Sequence, residues 1–277
     1  MSDESLSLLV ELLFTAAAVG VVAGALLRRR SAPAPQAPSA ATWSELVLTA
    51  GGLMVAAVGP NILVVALTPG LPEMPLLARY ALAPSLVFLA VVWVVGKCLG
   101  QTRLTNRICA GLWVGAAASG VLDAIRLTGF YLGQMPGNMP RMFGVLILDR
   151  MALGPTLGSD VLGYLYHYWV GACFGLTYTL LAGRIRWWGG VVWGLIIEVG
   201  MMVTPPMVVA MDTGYFGLKF GPGLLVTSFI AHVAYGAALG LLAERYVAHP
   251  GGIFSLLRNV FRRTESRTVA NFPKPAS

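Results

Sequence analysis

Seven apolar runs, each near the length of a membrane span, divide this chain: 5–27, 44–68, 76–99, 108–132, 161–183, 187–211 and 223–243, numbered I to VII below. About 20 apolar residues carry a helix across roughly 30 Å of hydrocarbon. Lipid offers no partner to backbone N–H and C=O groups, so such runs predict helices, not strands. Composition agrees, with 57% hydrophobic and 11% charged residues. Soluble domains carry about 25% charge. The deficit excludes a soluble globule, a disordered chain, a collagen-like chain and a disulfide-rich secreted module. The expected fold is all-α, a polytopic transmembrane helical bundle of seven spans.

The net charge of +7 acquires meaning from its distribution. Run I is preceded by Asp3 and Glu4 and followed by Arg28, Arg29 and Arg30. That order is the reverse of a cleavable signal peptide and predicts a retained helix with its N-terminus outside. With seven spans, the cytoplasmic segments are then 28–43, 100–107, 184–186 and the C-terminal tail. These segments and the adjoining helix ends hold most of the 19 lysines and arginines. The outer side keeps Arg79, Arg141, Arg150 and Lys219, as the positive-inside rule requires. Topology therefore accounts for the basic excess, and no nucleic-acid partner is expected.

Four segments follow: 1–43, the first span with a Pro/Ala linker (31–42, SAPAPQAPSAAT); 44–107, spans II and III; 108–245, a four-helix core; and 246–277, a basic tail. The linker predicts a loosely tied first helix. The outer stretch 139–153 is apolar but too short to span, which predicts an interfacial or re-entrant helix. In the tail, Ile253, Leu256, Leu257, Val260 and Phe261 share one helical face, with Arg258, Arg262 and Arg263 off it. Such a helix is expected on the cytoplasmic surface against anionic lipid, and the last ten residues are expected to be disordered. Cys98, Cys109 and Cys173 form no disulfide framework and no zinc spacing.

Runs V and VII share a pattern: His167-x3-Gly171-x3-Gly175 and His232-x3-Gly236-x3-Gly240. The preceding runs match in outline, Gly111-x3-Gly115-x3-Ser119 in IV and Gly190-x3-Gly194-x3-Glu198 in VI. This predicts a duplicated hairpin, IV–V and VI–VII, in parallel orientation. Small residues four apart are also the ordinary device for close helix packing in lipid, and they leave oligomerisation through Gly-x3-Gly faces open. The repeated histidine is what points to duplication.

Ionisable residues within spans are costly and mark candidate sites. Run IV holds Asp123 and Arg126, V His167, VI Glu198 and VII His232. Counted from the outer ends at about 1.5 Å per residue, all lie between the midplane and the outer face. They form the candidate ligand or ion site. Glu11 in run I is a further candidate for the same site, although its position near the outer end allows plain solvation. Asp123 and Arg126 stand i, i+3 and can neutralise each other. Glu198 has no base within a turn, so it is either protonated or paired across helices. The prolines of Thr204-Pro205-Pro206 are expected to break run VI two turns outward of Glu198.

His167 and His232, with Met201 and Met202, are also candidate metal ligands. Methionines concentrated between 135 and 211 suit Cu(I), and paired histidines suit a haem b. The depth offset of the histidines and the missing second pair argue against haem. Catalytic constellations fit poorly. Run VII lacks a Schiff-base lysine, and Ser119-Gly120 with His232 departs from the rhomboid-protease pattern at Ala117. No phosphate-cradling glycine loop is present.

The stretches HYWVGACFGL, GLIIEVGMMVTPPM and HVAYGAALGLLAER give residues 108–245 a resemblance to small bacterial multi-pass membrane proteins, including the YagU-like inner-membrane proteins. The resemblance implies a bacterial cytoplasmic (inner) membrane location and brings no chemistry. The expected function is binding or permeation of a small solute or cation at the intramembrane polar cluster. The alternatives are a non-transporting scaffold or assembly component, and a metal- or haem-binding membrane protein.

Overall fold

Helix ends in this chain are set by local chemistry as much as by hydropathy. Thr42 caps the second helix by accepting from the Glu45 amide. Thr156 and Ser159 form a reciprocal capping box at the sixth, and Pro222 opens the eighth. Each device supplies partners for first-turn amides, or removes the need for one.

A computed structural model of the protein describes residues 3–28, 41–204, 208 and 211–270. It is all-α, and no β-strand occurs among the described residues. The helices are α1 (Asp3–Leu27), α2 (Trp43–Ala66), α3 (Met74–Cys98, with a π-helical turn at Ala78–Leu82), α4 (Thr102–Tyr131), α5 (Met139–Ile147), α6 (Leu157–Ala182), α7 (Trp188–Val203), α8 (Pro222–Tyr246) and α9 (Ile253–Ala270). Five of them, α1, α2, α3, α4 and α8, are long and apolar enough to cross a membrane. The other two expected spans differ in kind. Helix α6 has the length, with 26 residues, but its tyrosines and His167 dilute its hydropathy. Helix α7 is apolar but only 16 residues long.

Several expected boundaries move. Run IV was expected from 108; α4 begins at Thr102, so Arg103 and Arg107 belong to the helix. Run VI was expected to reach 211; regular helix ends at Val203, with Thr204 extended. The prolines that predict this break, and Met207, lie outside the described residues. So do the greater part of the Pro/Ala linker and the last seven residues of the tail. The 139–153 stretch contains a nine-residue helix whose Met139, Pro140, Phe143 and Gly144 are buried.

The core is built on two hairpins packed through glycine. A Cβ on Gly115 would collide with the Gly171 carbonyl, and one on Gly175 with the Gly111 carbonyl, so α4 and α6 touch backbone to backbone. Likewise a Cβ on Gly190 would collide with the Gly236 carbonyl, and one on Gly194 with the His232 carbonyl, which joins α7 to α8. The two hairpins meet through Val114, Ala118, Leu122, Ala231, Tyr235 and Leu239 of α4 and α8.

Helix α1 is not loosely tied. Ala18 fills the notch at Gly120 of α4, and Phe14 stacks on Tyr164 at 5.4 Å. The sequence predicts an isolated span because the linker after it is Pro-rich, but complementary shape fixes the helix from the other side.

The tail helix also departs from expectation. Leu256 and Val260 pack on the protein, against Ala41 and Leu46. Phe254 and Leu257 are exposed, and Phe261, half exposed, meets the Trp43 ring edge-on at 5.3 Å. One apolar stripe in the sequence thus serves two surfaces.

Candidate functional site

The glycine notches that bring the helices together also set the separation of the polar residues one or two turns farther along. Asp123 lies two turns beyond Gly115 on α4, and His167 one turn before Gly171 on α6. The close backbone approach leaves a gap that one imidazole spans, and His167 Nε2 meets Asp123 Oδ1 at 2.8 Å. On the second hairpin, Glu198 lies one turn beyond Gly194, and its longer side chain reaches His232 Nδ1 at 2.6 Å. Each hairpin therefore carries one buried carboxylate–histidine pair, although the acids are not equivalent in the repeat, where Glu198 corresponds to Ser119 and Asp123 stands one turn farther along.

The second pair has a third member. Ser228 Oγ donates to Glu198 Oε2 at 2.8 Å, while His232 Nδ1 lies 2.9 Å from the Ser228 carbonyl. A carbonyl only accepts, so Nδ1 carries the hydrogen and shares it between Ser228 and Glu198. His232 Nε2 is the nitrogen left to exchange a proton.

Burial is close to complete at the acids, with Asp123 2% and Glu198 3% exposed. Each uses one oxygen. Among the described residues Asp123 Oδ2 and Glu198 Oε1 are buried with no hydrogen-bond partner, although the Tyr168 hydroxyl interacts with Asp123. Unsatisfied buried acceptors are rare and call for a proton, a water or an ion.

Arg126 links the two halves. It forms no ion pair within 4 Å among the described residues, so the expected neutralisation by Asp123 one turn away is replaced by the Asp123–His167 pair. Its guanidinium instead interacts electrostatically with both Asp123 and Glu198. All five predicted residues thus belong to one electrostatic neighbourhood, as two hydrogen-bonded pairs and a cation acting on both.

Metal ligation has less support from the geometry. No group of three or more His, Cys, Asp or Glu side chains is placed to hold a metal among the described residues. His167 and His232 already spend one ring nitrogen each on their own carboxylates. Met202 is buried with Met135 and Leu224, and Met201 packs against the same group.

A second polar cluster was not foreseen. Glu11, for which the sequence left solvation and a place in the site both open, is 1% exposed and belongs to this separate cluster. It accepts from the Tyr131 hydroxyl at 2.8 Å and Asn138 Nδ2 at 2.7 Å. Asp160 accepts from Ser7 and, at 3.3 Å, from Arg141 Nε. This cluster ties α1, α4, α5 and α6 together at one end of the bundle. Its sequence signal was weak, because Glu11 and Asp160 sit near helix ends, where charge is ordinary.

The chain matches no protein-family model, no curated protein and no solved structure.

Proposed function

We propose that this chain is a seven-span protein of a bacterial cytoplasmic membrane, N-terminus outside, that binds and passes a small solute or cation at the cluster of Asp123, Arg126, His167, Glu198 and His232. The observation that carries this reading is the repeated carboxylate–histidine pair, each with one orphaned carboxylate oxygen, around a shared arginine. A carboxylate beside a neutral imidazole, and the same carboxylate beside an imidazolium protonated on its free ring nitrogen, differ by one bound proton. Such pairs exchange a proton for a cation without placing a net charge in lipid. Arg126 holds an anionic group, or keeps the nearer carboxylate ionised. The duplicated hairpin and the YagU-like resemblance belong to the same proposal, and parallel repeats tend to form sites between their halves.

The test is flux through proteoliposomes containing a pH-sensitive dye, under Na⁺ or K⁺ gradients. Glu198→Gln keeps the shape and removes the titrating group. It is expected to reduce proton-coupled cation movement at least tenfold while the protein remains folded. Unchanged flux with altered stability would establish the competing reading, a non-transporting scaffold. That reading is favoured by one fact: each acid already has a partner inside a closely packed hairpin. Topology has its own check at Cys98, which is exposed at the end of α3. A membrane-impermeant maleimide is expected to label it from the cytoplasmic side alone.

A further inference from the structure

The end of the bundle opposite Glu11 carries a concentration of guanidinium groups that the intramembrane cluster does not use. Arg103 and Arg107 lie in the first turns of α4, Arg184 follows α6, and His249 follows α8. Together with Ser255 and Asn259 of α9 they line a cavity of about 450 Å³. The backbone holds it in shape. The Arg184 amide donates to the His249 carbonyl at 3.0 Å, and Arg107 Nη2 donates to the Gly251 carbonyl.

The charge balance in this cavity is incomplete. Arg103 is matched by Glu45 in a two-pronged ion pair. Among the described residues Arg107 forms no ion pair and feels the Glu45 carboxylate only at a distance; it is 1% exposed, and its Nε is buried without a hydrogen-bond acceptor. Arg184 adds a third guanidinium. The groups acting on His249 are Arg103, Arg107 and Arg184 against the single carboxylate of Glu45. A buried guanidinium with an idle N–H beside a lined cavity is an incomplete site, and the missing component is an acceptor with negative charge.

We propose that this cavity is an anion site that takes a phosphate group, either on an acidic lipid headgroup or free in solution. Arginine forks match phosphate oxygens in geometry and charge. The first turn of α9 borders the cavity and adds the positive end of a helix dipole. Phe254 and Leu257 of the same helix are exposed, next to the exposed Arg258 and Arg262. An amphipathic helix of that kind lies at a bilayer surface, where phosphates are concentrated.

His249 reports occupancy. Burial, then the charges of Arg103 and Arg107, hold its imidazole below the ordinary histidine range. A bound anion reverses the electrostatic part and moves its titration to higher pH. The chain carries three histidines, and His249→Gln assigns the ring signal in ¹⁵N spectra.

Two arms separate the sources: inorganic phosphate added to protein in neutral detergent, and phosphatidylglycerol in otherwise phosphatidylcholine nanodiscs. An upward shift of the His249 titration is expected in at least one. A response to inorganic phosphate assigns a free anion, and a response to phosphatidylglycerol alone assigns a headgroup. Arg184→Gln and Asn259→Glu, both outside the intramembrane cluster, are expected to weaken that response at least tenfold. Asn259 is exposed on α9, so the second variant tests the charge of the cavity without disturbing the bundle. No shift in either arm, equal response to phosphatidylcholine, or variants that behave as wild type would each overturn the proposal.

Discussion

Uncoupling Glu198 from His232 measures what the buried pair contributes. His232 Nδ1 lies 2.6 Å from Glu198 Oε2, which also accepts from Ser228 at 2.8 Å. Both residues are 3% exposed, so solvent screening is slight. A charge-assisted hydrogen bond contributes about 1.5–3 kcal/mol in proteins. Interhelical hydrogen bonds in membrane proteins average only about 0.6 kcal/mol, because the unfolded chain in lipid also finds partners. Breaking one member of a buried ion pair costs more, about 3–5 kcal/mol, because the other charge is stranded. Here Ser228 remains as a second donor to Glu198, which softens the single-mutant cost and places the expected coupling at about 1.5–2 kcal/mol. The assay is a double-mutant cycle of Glu198→Gln and His232→Gln, read by reversible unfolding in mixed micelles. Glu45→Gln combined with His232→Gln serves as the control, because Glu45 pairs with Arg103 elsewhere. Distant sites add within about 0.5 kcal/mol. A Glu198–His232 coupling no larger than the control would refute the pairing argument, and with it the one-proton unit on which the proposed exchange depends.

Other substitutions probe the packing and the ends of the bundle. Gly115→Val drives a side chain into the Gly171 carbonyl and is expected to destabilise by at least about 1–3 kcal/mol in the same unfolding assay. Gly20→Ala, where a Cβ meets nothing within 4 Å, should be neutral or mildly stabilising, since alanine restricts the unfolded chain. Glu11→Ala leaves Tyr131 and Asn138 without their acceptor; about 1–3 kcal/mol of lost stability and faster proteolysis after α1 are expected, seen by limited digestion and mass spectrometry. His249 titrates below its ordinary 6.5 when folded, so the unfolded chain binds the proton first as pH falls. Stability is therefore expected to be full above about pH 6.5 and to decline toward the lower folded value. His249→Gln should remove that part of the pH dependence, which melting curves from pH 8 to 5 would show.

The all-α architecture was legible from run length alone, because lipid leaves the backbone no partner but itself. The candidate site residues Asp123, Arg126, His167, Glu198 and His232 likewise stand out in the sequence, where charge is scarce. The same scarcity hid other residues. Glu11, Asp160 and Arg107 lie near helix ends, where a charge looks solvated, and only packing shows them buried.

Pairing was decided by tertiary structure. Sequence neighbours suggest Asp123 with Arg126, one turn apart. The glycine notches instead bring α6 so close to α4 that His167 takes the aspartate and Arg126 is left to act on both acids. Likewise the single apolar stripe of α9 does not say which residues meet protein and which face outward; contact with Ala41 and Leu46 does. Hydropathy is a property of each residue and survives in the linear order. A hydrogen-bond partner is a property of the space between helices, and it exists only once glycine has let their backbones touch.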